Sequence, residues 1–275
     1  EVRFITYPCV ERKLSPSQRF AFVLGCIIVL AVTYSCFWPY LQSPDTQNQW
    51  MQIHGDLAYN NIHAIGHTIF LKALLSIWDS YTFVVLVQLV GLIAVNTAFA
   101  EFFYSKGIRF DVIVFVQLLS LIWLSAHTIA FFAPWKDCPA ALCMAVVVLI
   151  MMKHPQPEKM SYSSAACLGL VLVWCALFRL NGIIVLIVCG LYFLFAFFRA
   201  HDGRRIAAFL VPIVLSWAFV SCYSTYVLHT EKLENGFSIQ VFGSGIAAAV
   251  NGRNLSDGVV AAVYDLLPIS WMDVT

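Results

Sequence analysis

Long apolar blocks alternate with short polar breaks along most of the chain. They cover residues 20–40, 81–100, 112–132, 138–152, 165–178, 182–198 and 206–227. About 20 apolar residues in a helix cross the hydrocarbon of a bilayer. The pattern therefore predicts an all-α, polytopic transmembrane helix bundle of about seven spans. The 138–152 and 165–178 blocks fall short of that length, which would draw their polar ends below the membrane surface. No small-residue cleavage site follows the first block, only Trp38-Pro39-Tyr40, so it reads as a span rather than a removed signal peptide. Residues 63–78 have a helical period but are short and hold His63, His67 and Lys72.

Composition agrees with a membrane protein. Hydrophobic residues make up 61% of the chain and charged residues 11%, against about a quarter in a soluble domain. A net charge of +1 gives no sign of nucleic-acid binding. The nine cysteines lack metal-ligand spacing and read as small buried apolar residues rather than a disulfide framework. The chain begins at Glu1 and ends at Thr275, just past an expected helix, so a longer protein is expected.

The basic residues decide how 63–78 is placed. If that segment lies along the outer interface, eleven of the sixteen Lys and Arg residues fall on the cytoplasmic side, among them Arg12, Lys13, Arg19, Lys106, Arg109 and Lys153. That satisfies the positive-inside rule, whereas an extra span would invert every later loop. The expected organisation is a transmembrane module over residues 1–227, with interfacial helices in an outer loop at 41–80. The start of an extracytoplasmic region follows at 228–275, with short helices at 244–250 and 256–267. The expected location is the cell membrane, with the N-terminus cytoplasmic. The short basic inner loops read as topology anchors.

The residues of chemical interest then collect on the outer side. In the first loop Ser43 suits an N-cap and Pro44 the first helical position. Asp45, Gln49, Gln52 and Asp56 fall at i, i+4, i+7 and i+11, forming a polar stripe opposite Trp50, Ile53 and Leu57. This stripe is either an acidic, amide-rich face over a cavity or a simple complement to a helix N-terminus. A second outer loop reads Trp135-Lys136-Asp137, and a third Arg179-Leu180-Asn181-Gly182. Ionisable groups at the ends of short spans usually face a cavity and pair with something. Asp137 could pair structurally with Lys136 or Arg179, or the guanidinium could clamp a phosphate. His63 and His67 share a helical face, but no third zinc ligand accompanies them, so packing or substrate contact is the stronger reading.

With those residues in place, the arrangement resembles the GT-C membrane glycosyltransferases. That superfamily includes the protein O-mannosyltransferases and the aminoarabinose transferases of lipid A. The resemblance rests on the order and sidedness of short motifs over residues 20–200. They are Pro44-Asp45-Thr46-Gln47-Asn48-Gln49-Trp50, Asn60-Asn61-Ile62-His63-Ala64-Ile65-Gly66-His67-Thr68, Trp135-Lys136-Asp137, and Phe178-Arg179-Leu180-Asn181-Gly182, the last similar to a turn in uncharacterised bacterial multi-pass relatives. The resemblance implies sugar transfer from a polyprenyl-phosphate-linked donor to an acceptor on the outer face. Asp45 and Asp137 would be catalytic. Gln49, Gln52, His63, His67, Lys136, Arg179 and Asn181 would contact substrate. The first loop has Asp45-Thr46 where the mannosyltransferases have Asp-Glu, so the base and the use of a divalent cation stay open; no other cofactor is implied. Two alternatives stand beside this reading. One is a lipid or small-solute transporter, for which Gln88, Asn96, Gln117 and His127 are candidate path residues. The other is a non-catalytic membrane subunit. The position of Asp45 relative to Asp137 separates them from catalysis.

Overall fold

The computed structural model describes residues 12–41, 44–60, 63–127, 129–179 and 181–231, with the side chains of 44, 124–127, 129 and 130 outside the description. Among the described residues there are nine α-helices and no strand. They are α1 (Pro16–Ser35), α2 (Pro44–His54), α3 (Ile65–Leu75), α4 (Tyr81–Ser105), α5 (Phe110–His127), α6 (Asp137–Lys153), α7 (Tyr162–Phe178), α8 (Gly182–Arg199) and α9 (Gly203–Tyr226). The contacts divide the chain into two units, Glu1–Leu57 with His63–His229, and Ala58–Ile62 with Thr230–Thr275. In the second unit the Glu231 N–H donates to the Tyr59 carbonyl at 2.8 Å, beside an isolated bridge between Asn60 and Glu231. The helices expected at 244–250 and 256–267 lie outside the described residues.

Local chemistry sets the helix ends. α1 begins earlier than the apolar block because Ser15 and Gln18 form a capping box and Pro16 takes the first position. α4 runs to Ser105, past the apolar block, and closes where Gly107 takes a φ of +88°. The third block splits: α5 stops at His127, and Ile129–Phe132 forms a short 3₁₀ turn. That turn is tied back by Leu41, whose N–H donates to the Phe132 carbonyl at 2.9 Å. Gln88 on α4 holds the next residue, its side-chain amide donating to the Ala133 carbonyl at 2.8 Å.

Among the described residues four helices, α1, α4, α8 and α9, are long and apolar enough to cross a membrane. Their surfaces are compatible with a membrane protein. Phe20, Phe195 and Leu215 stand 68%, 68% and 63% exposed, within faces that continue along their helices. In water such continuous apolar faces would drive association, whereas lipid satisfies them. The four carry their backbone hydrogen bonds internally, as a segment in hydrocarbon must.

Two hydrophobic groups fill the bundle of long helices. α1, α4 and α5 pack around Phe22, Cys26, Val85, Leu121 and Phe132. α6 to α9 pack around Leu168, Leu172, Phe193, Phe197 and Phe209. α4 and α6 join them, and α7 is central in the second group. α7 approaches α9 closely at Gly169, where any β-carbon would collide with the Phe209 carbonyl. The described cysteines are all free thiols, and Cys26, Cys138 and Cys175 are buried, as expected of apolar packing residues.

The packing at Gly169 leads to a paired prediction. Gly169→Val should force α7 and α9 apart and lower stability by about 1–3 kcal/mol. Gly190→Ala on α8, where a β-carbon meets nothing within 4 Å, should be neutral or slightly stabilising. Thermal melts of the two variants in detergent check the contrast.

Candidate functional site

The polar residues of the first loop fold onto those of the second. α2 is held to the start of α4 by Tyr81, whose hydroxyl donates to the Thr46 carbonyl at 2.7 Å, and by the edge-on packing of Trp50 against the Tyr81 ring at 4.5 Å. Trp50 and Ile53 pack toward Leu71, Leu75 and Val84. Against the usual amphipathic pattern, Thr46, Gln49 and Gln52 are also buried. Asp56 does not join them. α2 ends at His54, Gly55 takes a φ of +87°, and Asp56 is left exposed beyond the turn. Ser43, the expected cap, lies outside the described residues.

α3 supplies the partners for the buried amides. Gly66 lets it lie directly against the end of α7, since a β-carbon there would stand 2.5 Å from the Leu177 carbonyl oxygen. This seats the next residue, His67, beside Phe70 and Phe178. The His67 Nδ1–H donates to Gln49 Oε1 at 3.1 Å, and Gln49 Nε2 donates to Thr68 Oγ1 at 3.0 Å. A neutral imidazole that donates from Nδ1 presents Nε2 as an acceptor. His67 is fully buried, and burial followed by the nearby charges of Lys136 and His63 lowers its pKa to about 3. It is therefore neutral at any ordinary pH.

The second loop closes the site from the other side. Lys136 Nζ donates to Asp45 Oδ2 at 2.8 Å, and His63 Nδ1 lies 4.0 Å from the same oxygen. Burial pushes the Asp45 carboxyl up, but the Lys136 hydrogen bond and charge, with His63 and His67, outweigh it and leave the pKa low. Asp45 is thus a carboxylate at neutral pH. Burial lowers the His63 pKa, Asp45 opposes that, and Lys136 adds to it. One residue beyond Lys136, Asp137 Oδ1 lies 2.6 Å from Arg179 Nη1. Asp137 opens α6 and Arg179 follows the last residue of α7, so each charge also complements its own helix dipole.

The sequence left open which partner each acid takes. Asp45 pairs with Lys136 and Asp137 with Arg179, so two ion pairs meet at adjacent residues. The two pairs are thus anchored at neighbouring positions, Lys136 and Asp137, of one loop. Gln49, Gln52, His63, His67, Lys136 and Arg179 belong to the same end of the bundle. Asn181 is exposed and makes no side-chain cap to α8, so nothing draws it into the cluster. Thr46, Thr68, Tyr81 and Trp135 were missed by sequence reading, because an aromatic or threonine at a helix end carries no signal above packing.

Five buried polar atoms in these segments have no protein hydrogen bond: Gln52 Oε1, His63 Nδ1, His67 Nε2, Trp135 Nε1 and Asp137 Oδ1, the last of them in the ion pair with Arg179. Native structures leave few such groups unmatched, so their concentration marks a polar site. Among the described residues no group of three His, Cys, Asp or Glu side chains could hold a metal ion. No protein-family model matches the chain, and no curated protein or solved structure does.

Protonation of the buried histidines sets a pH dependence. An unfolded histidine titrates near 6.5, whereas folded His67 does so near 3. Between those values only the unfolded chain binds the proton, so stability falls as pH drops below about 6.5. At pH 5 this amounts to about 2 kcal/mol from His67, with His63 adding in the same direction. Asp45 adds nothing in that window, because its low value places its loss at more acidic pH. Exposed His54 works weakly in the opposite direction: the Trp50 carbonyl, and then Asp79 at 3.0 Å, raise its pKa. Melting temperatures between pH 7 and pH 5 should therefore fall in wild type, and His67→Gln should flatten the slope.

Proposed function

We propose that the chain is a membrane glycosyltransferase of the GT-C type, using a polyprenyl-phosphate-linked sugar donor on the extracytoplasmic face. In this reading α1 and α4 to α9 make seven crossings, the N-terminus is cytoplasmic, and α2 and α3 lie at the outer interface. α3 has 11 residues, roughly 16 Å of helix, about half of what hydrocarbon requires. The observation that carries the proposal is the Lys136–Asp45 pair, 2.8 Å long, which joins the acid of the first loop to the cation of the second. A paired carboxylate and ammonium with their neighbours Asp137 and Arg179 is the equipment that phosphate departure and proton removal require.

The roles follow from charge. The acceptor hydroxyl attacks the anomeric carbon, the bond from that carbon to the phosphate oxygen breaks, and polyprenyl phosphate leaves with the electron pair. Asp45 takes the hydroxyl proton as general base. An ammonium-bound carboxylate is a weak base, because Lys136 holds its pKa down. An arriving donor phosphate competes for Lys136, and the carboxylate it draws that lysine from becomes more basic. The two functions are coupled through one cation: Lys136 stabilises charge on the departing phosphate while freeing Asp45. Arg179, about half exposed, would meet the phosphate from the side. His67 Nε2 and Gln52 Oε1 would accept sugar or acceptor hydroxyls. No part of this scheme needs a divalent cation.

The transport alternative has weaker support. Gln88 is bonded to Ala133, and Asn96 donates to the Leu92 carbonyl of its own helix at 2.9 Å, so two candidate path residues are engaged in holding structure. Gln117 Oε1 is buried without a partner, and the His127 side chain lies outside the description.

Membranes containing the chain, supplied in turn with hexosyl- and pentosyl-phosphopolyprenols, should release polyprenyl phosphate. Asp45→Asn, which keeps shape but not basicity, should slow release by about 10²-fold or more. Lys136→Gln should do likewise, and Asp56→Asn should leave the rate unchanged. Full activity in Asp45→Asn would remove the proposed base and with it this mechanism.

A further inference from the structure

The opposite end of the first helix group holds a second concentration of charge, and among the described residues the cations outnumber the acids. A cavity of about 490 Å³ is lined there by Arg12, Lys13, Arg19, Lys106 and Lys153, with Glu101 as the one carboxylate among the described residues. These residues come from four separate places: the segment before α1, the first turn of α1, the end of α4 and the end of α6. Glu101 is already used, since its Oε1 sits 2.7 Å from Arg19 Nη2. Among the described residues, Arg12, Lys13, Lys106 and Lys153 enter no ion pair. Lys106 instead leans over the Phe102 ring at 5.4 Å.

Helix dipoles account for only part of this gathering. Lys106 and Lys153 stand at C-terminal helix ends, where cations are favoured. Arg12, Lys13 and Arg19 flank the N-terminal end of α1, which is itself electropositive and disfavours them. Among the described residues one carboxylate faces five cations, and their mutual repulsion favours an added anion. The adjoining surface indicates what carries that anion. Phe20 follows Arg19, and Phe20, Leu24 and Ile27 are spaced i, i+4 and i+7 and exposed at 68%, 42% and 46%. They form an apolar track leading away from the cavity along a helix long enough to cross a membrane.

We infer that this cavity binds the phosphodiester headgroup of an anionic phospholipid, with the acyl chains laid along the Phe20, Leu24 and Ile27 track of α1. Arginine and lysine supply the charge and the hydrogen bonds that a phosphate takes, as in other basic pockets at helix ends near a membrane surface. The site is independent of the Asp45 cluster and would stand if the glycosyltransferase reading fell.

The test uses the full chain purified in a neutral detergent. Its melting temperature is read with added phosphatidylglycerol, phosphatidylcholine or inorganic phosphate. Phosphatidylglycerol should raise it and the other two should not. The double variant Lys106→Gln/Lys153→Gln should lose at least half of that rise. Arg109→Gln should keep all of it, because Arg109 is exposed, pairs with Asp111 at 2.7 Å and lies outside the cavity. An equal rise in wild type and double variant, or an equal effect of phosphatidylcholine, overturns the site. A full effect of inorganic phosphate alone overturns the lipid assignment in favour of a soluble anion. Should the double variant not fold, wild type in lipid nanodiscs decides the matter. Spin-labelled phosphatidylglycerol should be immobilised more than spin-labelled phosphatidylcholine, and the excess should fade with added salt. Equal immobilisation of the two lipids overturns the proposal.

Discussion

A peptide group placed in hydrocarbon without a hydrogen-bond partner costs several kcal/mol, and an α-helix avoids that cost within a single segment. Much of this chain follows from that constraint. It accounts for a described structure built from helices, with apolar faces of α1, α8 and α9 left uncovered by protein. It also sends polar chemistry to the ends. A side chain that must be charged finds water, or a partner, only where a helix stops. Asp45, Asp137 and Arg179 all stand within a residue or two of a helix terminus.

The two ends of the bundle handle charge in opposite ways. At the Asp45 end, acids and bases are matched: Lys136 with Asp45, Arg179 with Asp137. What stays unmatched there is neutral, such as the imidazole and amide atoms of His67 and Gln52. Such a site can hold polar, hydroxyl-rich groups without a large electrostatic cost. At the Arg19 end one carboxylate stands among five cations of the described residues. The first arrangement suits neutral polar groups, and the second suits contact with an anion.

The long helices were legible in the sequence because their signal is composition repeated over 14 residues or more, and each block of apolar residues contains a helix. Their ends were less so. Capping by Ser15 and Gln18 moved α1 earlier than its apolar block, and the break after His127 lies inside an uninterrupted apolar run. The members of the candidate site were legible as types: acids, amides and histidines in the segments between apolar blocks. Their pairing was not. Lys136 is 91 residues from Asp45, and only the packing of α2, α3 and the start of α6 decides that it reaches Asp45 rather than its neighbour Asp137. The polar stripe was right for Gln49 and Gln52 and wrong for Asp56, because Gly55 ends the helix one turn too soon. The basic residues near α1 and α4 were visible one loop at a time, and each alone looked like a topology anchor. Their convergence on one cavity is a property of helix packing that no single loop contains.

Burial and pairing of the Asp45 cluster also limit how it could work. An exposed carboxylate would be ionised and solvated, and a fully buried one without Lys136 would be protonated. With Lys136 present, Asp45 is held as an anion whose basicity depends on where that lysine points. A phosphate near Lys136 weakens the ion pair and strengthens the base in the same motion. Under the proposed sugar transfer, the site would need no separate device to keep the base quiet before the donor binds. The buried neutral histidine beside it contributes by staying neutral: a positively charged His67 would compete with Lys136 for Asp45 and break that dependence.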